Sequence, residues 1–438
     1  NNYNPSGKIS KIMNIISKLV YNIILFPLLM TLTLIGSLFN KKIRVGISGR
    51  FQSINKLKSF NKNLNPNDIS YWFHAASFGE YEQIRPVLAG LKEVEPDAKI
   101  IVSFFSPSGY NNVHDDHIDC KIYLPFDFLW TIRKAMKLAR PKKLIFAAYD
   151  IWPNLIWSAQ KRKIHSTLFA ARFVIGTNKL KPLIRKFYGS VYRSFRTIYT
   201  VDASDYLHVQ ELVQGVNSPI LRVLGNPRYD QVKSKADEFT VAHTESVLDR
   251  ERCIIAGSIH LEDESVVMTA LAEILKKHED VSLVWVPHDP DDSYINRAET
   301  FFSDKGFSCK QLGKKTVKLP SVRVVLVDVV GILSRLYWHG QIAYIGGGFS
   351  TGVHNTMEPA IARLPVLFGP KHEQFHATGE LIKAGGGFLV NNGEEVYGVL
   401  DNLLTNQDLF LQASYASTDV IHQNLGSSTR VVRGIIRD

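Results

Sequence analysis

The sequence predicts an α/β protein built from two doubly wound parallel sheets, and three observations lead there. Apolar runs of six to eight residues alternate with stretches of helical periodicity along most of the chain, the pattern of parallel strands buried on both faces. The runs fall into two series separated by the polar stretch from Gln231 to Arg252. A length of 438 residues suits two domains that each bury a core of their own.

The amino-terminal end stands apart from this pattern. Its first 67 residues hold ten Lys or Arg and no acid, so the net charge of +11 leaves only +1 for the rest. From Leu19 to Phe39 there are 21 residues without a charge, which at ~1.5 Å per residue match a ~30 Å hydrocarbon core. Lys8, Lys11 and Lys18 precede the run, and Lys41, Lys42, Arg44, Arg50, Lys56, Lys58 and Lys62 follow it. The heavier positive side predicts a cytoplasmic body behind a single membrane anchor, and a basic collar favours an anionic membrane surface. Pro27 would kink a spanning helix, and Asn22 and Thr31 are polar, so a helix lying in the interface is the alternative. A buried core helix would be a third reading; a cleaved signal is disfavoured because no small-residue site follows Phe39. Residues 1–45 are taken as anchor and basic flank.

In the first series, runs at 71–76, 99–105, 143–150, 166–173, 197–202 and 221–226 read as strands. Ile84, Val87, Leu88 and Leu91 mark a helix between the first two. The second series has runs at 253–258, 282–289, 322–328, 341–348 and 364–369. Domains of 46–230 and 231–438 follow, facing each other across a cleft, with ligands at the carboxyl ends of the strands; the last helix is a candidate to pack back on the first domain. Cys120, Cys253 and Cys309 are too few and too scattered for a disulfide framework or a zinc ribbon. A nearly neutral body argues against nucleic acid as partner.

Candidate chemistry sits at the strand ends. Ser77-Phe78-Gly79-Glu80 closes the first run; there Glu80 is either a general base or a first-turn acid stabilising the helix dipole. Gly346-Gly347-Gly348 begins a turn that continues through His354, Asn355 and Glu358. It misses the dinucleotide fingerprint, yet such glycines let backbone N–H groups approach a phosphate, and Glu358 could accept both hydroxyls of a ribose. A plain tight turn with a packed histidine is the simpler reading. Ser258 is a helix cap or a phosphate contact, and the turn holding Asp150 and Asn154 is a substrate contact or structural. His372-Glu373-Gln374-Phe375-His376 has zinc-peptidase spacing, with Glu394 or Glu395 as third ligand, but it follows a strand ending in Gly369-Pro370 rather than lying within a long helix. His114 to His117 reads as a solvated loop.

Taken together, these motifs resemble those of the 3-deoxy-D-manno-octulosonic acid (Kdo) transferases of lipid A biosynthesis. His74-Ala75-Ala76-Ser77-Phe78-Gly79-Glu80 is similar to their His-Ala-x-Ser-x-Gly-Glu hallmark. Phe105 to Tyr110, Trp152-Pro153-Asn154, Gly225 to Asp230, Ala256-Gly257-Ser258 and the stretch from Gly346 to Pro370 follow in family order. The resemblance implies the GT-B glycosyltransferase fold, with acceptor on the first domain and CMP-Kdo on the second. It implies an inverting transfer of Kdo to a lipid A precursor (lipid IVA) in lipopolysaccharide core biosynthesis, with Glu80 as general base. Ser77, Gly79, Asp150 and Asn154 then lie on the acceptor side, while Ser258, Gly346, Gly347, Gly348, His354, Asn355 and Glu358 surround CMP. No tightly bound cofactor and no metal are expected, since helix N-termini can meet the charge of the departing CMP. Arg228 and Lys371 are candidates for the Kdo carboxylate or the phosphate. The chain departs from the pattern where Pro287-His288-Asp289-Pro290 replaces Pro-Arg-His-Pro, so His288 stands in for an arginine. Ala148-Tyr149-Asp150 replaces Glu-x-Glu, and Gly331-Ile332-Leu333 replaces Gly-Glu-Leu. Another GT-B enzyme using a different nucleotide sugar is the nearest alternative.

Overall fold

The computed structural model describes residues 14–173, 178–215, 218–313 and 319–438; Lys8 and Lys11 of the basic flank lie outside them. The chain divides into two compact units, Asn1–Gln231 with Gly426–Asp438, and Val232–Leu425.

The first unit contains β1 (Ser70–Ala75), β2 (Lys99–Phe104), β3 (Cys120–Tyr123), β4 (Lys143–Ala147), β5 (His165–Ala171), β6 (Thr197–Thr200) and β7 (Ile220–Val223). They form one parallel sheet in the order β3-β2-β1-β4-β5-β6-β7. Alternate residues of each strand enter two separate cores: Trp72, Ile101, Leu144 and Leu168 on one face, Phe73, Val102, Ile145 and Phe169 on the other. Burial on both faces is why these segments read as continuous apolar runs. The last helix, Ser427–Arg437, belongs to this unit: Val431, Val432 and Ile435 join the core beside Leu88 and Leu91. The Asp230 carboxylate accepts N–H groups from Gly426 and Ser428, both at 2.6 Å, and so fixes the start of that helix.

The second unit contains β8 (Cys253–Ile259), β9 (Ser282–Pro287), β10 (Cys309–Gln311), β11 (Val324–Leu326), β12 (Ile342–Ile345), β13 (Val366–Phe368) and β14 (Gly387–Leu389). Its parallel order is β10-β11-β9-β8-β12-β13-β14. Each sheet starts from a central strand and fills one side before the other, with β11 returning between β9 and β10 in the second. The order therefore reverses between β1 and β4 in the first unit and between β8 and β12 in the second, and loops that diverge at such a point leave a crevice for ligand.

Three strands escape the apolar-run reading: β3, β10 and β14. All lie at sheet edges, where one flank lacks a neighbour, and none exceeds four residues.

The helix from Asn14 to Phe39 is long and apolar enough to cross a membrane. It widens to a π-turn over Tyr21–Leu25 just ahead of Pro27, which lacks an N–H for the regular ladder. Tyr21 and Phe26 are buried against the first unit's core. Tyr21 Oη donates to Asp127 Oδ2 at 2.8 Å, and Asn22 exchanges amide hydrogen bonds with Asn154 at 3.1 and 2.8 Å. The remaining surface carries exposed Leu19, Ile23, Ile24, Leu28, Leu32, Ile35 and Leu38. Asn40 then turns the chain, its side chain capping the helix Lys41–Lys62 through the N–H groups of Lys42 and Ile43.

Candidate active site

The first unit's reversal point gathers an acid pair. β1 ends at Ala75, and Ser77 caps the helix Phe78–Val94 with extended backbone. Glu80 falls in that helix's first turn, 5 % exposed. Its carboxylate reaches back to accept the Ala76 N–H and a hydrogen bond from the Ser77 backbone, so the dipole-stabilising contact weighed from sequence is present. Burial nonetheless dominates: with the negative charge of Asp150 added, the carboxyl is pushed up to about 8 despite those two N–H donors. Asp150 follows β4 and accepts Trp152 Nε1–H at 3.1 Å. His74, on β1, places Nε2 3.4 Å from Asp150 Oδ2 and Nδ1 3.0 Å from Ser103 Oγ. A carboxyl whose charged form is this costly, beside a second carboxylate at a strand end, has the properties of a general base that works at mildly alkaline pH.

The other first-unit candidates divide. Gly79 leaves its Cβ direction nearly open, with only Ser77 Oγ at 3.9 Å. Arg228 begins a helix, its N–H held by Asn226 Oδ1, and its charge acts on Tyr149 together with those of Glu80 and Asp150. Asn154 is 1 % exposed, and its amide is engaged by Asp127 and Asn22. It braces the amino-terminal helix from inside, the structural one of the two readings that the turn left open.

The second unit's reversal point lies between the ends of β8 and β12. Ser258 adopts φ +56°, a left-handed conformation at a break in the β8–β9 register. The glycines beside it follow from close backbone crossing. A Cβ on Gly346 would stand 2.3 Å from the Ser258 carbonyl oxygen, and one on Gly348 2.5 Å from the Gly369 backbone. Gly347 takes φ +90°. The N–H groups of Gly346 and Gly347 go to Gly257 O and Asp263 Oδ2, at 2.9 and 2.7 Å. The glycine loop therefore uses these two donors to hold itself. Asp263 is the brace: fully buried, it also accepts the His260 N–H at 2.9 Å and Tyr344 Oη–H at 3.2 Å.

Three imidazoles converge there. His260 Nε2 and His354 Nε2 are 2.6 Å apart with rings 10° from coplanar, and His288 lies with its ring centroid 4.5 and 4.3 Å from theirs. Burial and the neighbouring rings push His354 down to about 4, and His288 is also lowered; both are neutral near pH 7. The ligand nitrogens of the three lie within 4.8 Å of one another. A tetrahedral ion with bonds of ~2.0–2.1 Å keeps its nitrogens roughly 3.3 Å apart, so at 2.6 Å the His260–His354 pair is a proton-sharing contact. His260 was not singled out as a site residue from sequence; its signal was a histidine two residues beyond Ser258 at a helix cap. Asn355 Oδ1 accepts the Met357 N–H, and Glu358 stands one residue into the short helix Met357–Ile361, close enough to act electrostatically on Tyr337. Lys371 Nζ donates to Ser350 O at 2.6 Å, closing the same loop.

The zinc-peptidase spacing is not realised on one helix. His376 opens the helix His376–Ala384, whereas His372 lies in the preceding turn with Nδ1 3.4 Å from Thr378 Oγ1. Gly369-Pro370 ends the strand and leaves the segment irregular. In the other histidine loop, partial burial of Asp115 is outweighed by hydrogen bonds from Tyr81 and His117, which lower the pKa of its carboxyl, and it ties that loop to the helix Phe78–Val94.

Comparison with known proteins agrees with this geometry. The family model "3-Deoxy-D-manno-octulosonic-acid transferase (kdotransferase)" matches residues 46–231. A 3-deoxy-D-manno-octulosonic acid transferase of Aquifex aeolicus is 29 % identical over 340 residues, covering 76 % of this chain and 86 % of that protein. One of Chlamydia pneumoniae is 26 % identical over 379 residues, covering 80 % and 82 %. Among solved structures, UDP-GlcNAc 2-epimerase from Neisseria meningitidis superposes with a TM-score of 0.61 at 14 % identity, covering 84 % of this chain and 100 % of that one. A glycosyltransferase from Rickettsia africae gives 0.55 at 14 %, covering 85 % and 100 %; these two show the fold, a pair of Rossmann-like units of GT-B kind. The chain is a glycosyltransferase. Over most of its length it is a relative of the Kdo transferases.

Proposed function

We propose that the enzyme moves Kdo from CMP-Kdo to a hydroxyl of a lipid A precursor, with inversion and with Glu80 as general base, in the building of the lipopolysaccharide core. The observation that carries this reading is the buried Glu80 carboxyl beside Asp150 at the reversal point of the first sheet, in the region matched by the Kdo transferase model. In the step, ionised Glu80 removes the acceptor hydroxyl proton as the oxygen attacks the anomeric carbon. The bond from that carbon to the phosphate oxygen breaks, and CMP departs with the electron pair. His74 and Trp152 hold Asp150, which orients the acceptor and sets the basicity of Glu80. The neutral imidazoles of His288 and His354 supply N–H donors to the leaving phosphate beside His260, and a dianion brought against these two raises their proton affinity. Lys371 and Asp263 keep the glycine loop in shape around this donor site.

The long apolar helix is the membrane element of this proposal. Its Tyr21 and Asn22 face is bonded to the protein body, while its exposed aliphatics suit hydrocarbon. This arrangement supports a helix lying in the interface of the inner membrane, with the Lys41–Lys62 helix offering its cations to anionic headgroups on the cytoplasmic side. Incubation with a CMP-Kdo-generating system and tetraacylated lipid A precursor tests the function: the acceptor gains one or more Kdo masses. A mass gain only with another nucleotide sugar would reassign the donor.

A further inference from the structure

We propose that the apolar pocket beneath the amino-terminal helix holds one acyl chain of the acceptor lipid; this rests on the acceptor reading above. The pocket encloses about 390 Å³ within the first unit, inside the ~300–1,000 Å³ range of small-molecule sites. Phe26 and Met30 of the apolar helix, Ile47 of the next helix, and Phe105, Phe126 and Trp152 of the body form its walls.

Three relationships commit it to an acyl chain carried by a charged headgroup. The wall is hydrocarbon and aromatic, while its cations are Lys42 and Arg50. Arg50 is 9 % exposed, donates to Phe105 O at 2.7 Å and lies 4.4 Å over the Phe105 ring; its planar fork suits a phosphorylated headgroup above a buried tail. Asp127, the one acid in the wall, is already engaged by Tyr21 Oη–H and the N–H groups of Asn154 and Leu155. Second, the helix that lines the pocket exposes Leu28, Leu32 and Ile35, a surface along which an alkyl chain can pass from a bilayer without crossing water. Third, Trp152 forms part of the wall and donates to Asp150, the partner of Glu80. A chain seated against Trp152 therefore places its own headgroup near the acid pair, and chain length sets which hydroxyl reaches Glu80.

The test uses the full chain in detergent with two acceptors, a tetraacylated glucosamine disaccharide bisphosphate and its fully deacylated counterpart. Ile47→Phe and, independently, Met30→Phe fill the pocket, and melting temperature confirms that each variant folds. The ratio of kcat/KM for the acylated acceptor to that for the deacylated one is expected to fall at least tenfold in both, mainly through KM. Native mass spectrometry is expected to show the wild type retaining the tetraacylated compound over an equal concentration of phosphatidylglycerol, and the variants losing that retention. An unchanged ratio in both folded variants, or equal retention of phosphatidylglycerol, overturns the proposal. If the wild type transfers no Kdo to either acceptor, the functional reading fails, while the retention experiment still decides the pocket.

Discussion

Glu80 and Asp150 stand at the carboxyl ends of adjacent parallel strands, and the charge of Asp150 adds to burial in holding Glu80 protonated up to about pH 8. The proposed base and the group that tunes it thus come from the two strands between which the sheet reverses.

Activity is expected to rise with pH along a limb centred near 8, as Glu80 loses its proton. Asp150→Asn removes the neighbouring charge and moves that limb to lower pH, while Glu80→Gln lowers kcat at least a hundredfold on the alkaline plateau and flattens the limb. A limb unmoved by Asp150→Asn would show that the titrating group is another.

The same shift makes a stability prediction. Glu80 ionises at about 8 when folded, against 4.5 unperturbed, so between those values the folded state binds the extra proton. Stability from this group is therefore full below pH 4.5 and falls as pH rises toward 8, by up to ~1.4 kcal/mol per unit. Glu80→Gln should be the more stable protein above pH 5, with the gap widening to pH 8; denaturant midpoints across this range check the sign.

The C2 proton of His354 should titrate near pH 4 in the free protein and at least one unit higher with saturating CMP, because a phosphate dianion offsets the burial. An unaltered titration would remove His354 from the donor site.

Much of the fold was legible because buried parallel strands leave long apolar runs. The edge strands β3, β10 and β14 were not, being short and bounded by polar sequence. At the site, Glu80, Asp150, Ser258 and the triple glycine were visible as strand-end residues. Asp263 was not visible as a brace, because its partners are the backbone of His260 and Gly347 and a tyrosine 81 positions away. His288 read as the stand-in for an arginine and His260 was not singled out; the adjacency of β8 and β9 brings them together. The turn holding Asn154 read equally as a ligand contact or as structural, and nothing local in the sequence showed that the amino-terminal helix covers it.

Gly348→Ala should cost ~1–3 kcal/mol, since its new methyl would meet the Gly369 backbone at 2.5 Å and neither chain segment can yield freely. Gly379→Ala, in a helix with nothing within 4 Å of its Cβ direction, should be neutral or stabilising by ~1 kcal/mol. Thermal melts of the pair check the contrast.

Asn154→Ala leaves the Asp127 carbonyl and Asn22 without their partner and should cost ~1–3 kcal/mol. Its distinctive readout is limited proteolysis in detergent: cleavage between the amino-terminal helix and the body should accelerate before global unfolding.

The most direct measurement is the mass of tetraacylated lipid A precursor after incubation with the enzyme and a CMP-Kdo-generating system, beside a folded Glu80→Ala control. The account predicts one or more added Kdo masses with the wild type and none with the variant. Kdo addition by Glu80→Ala at the wild-type rate would contradict it.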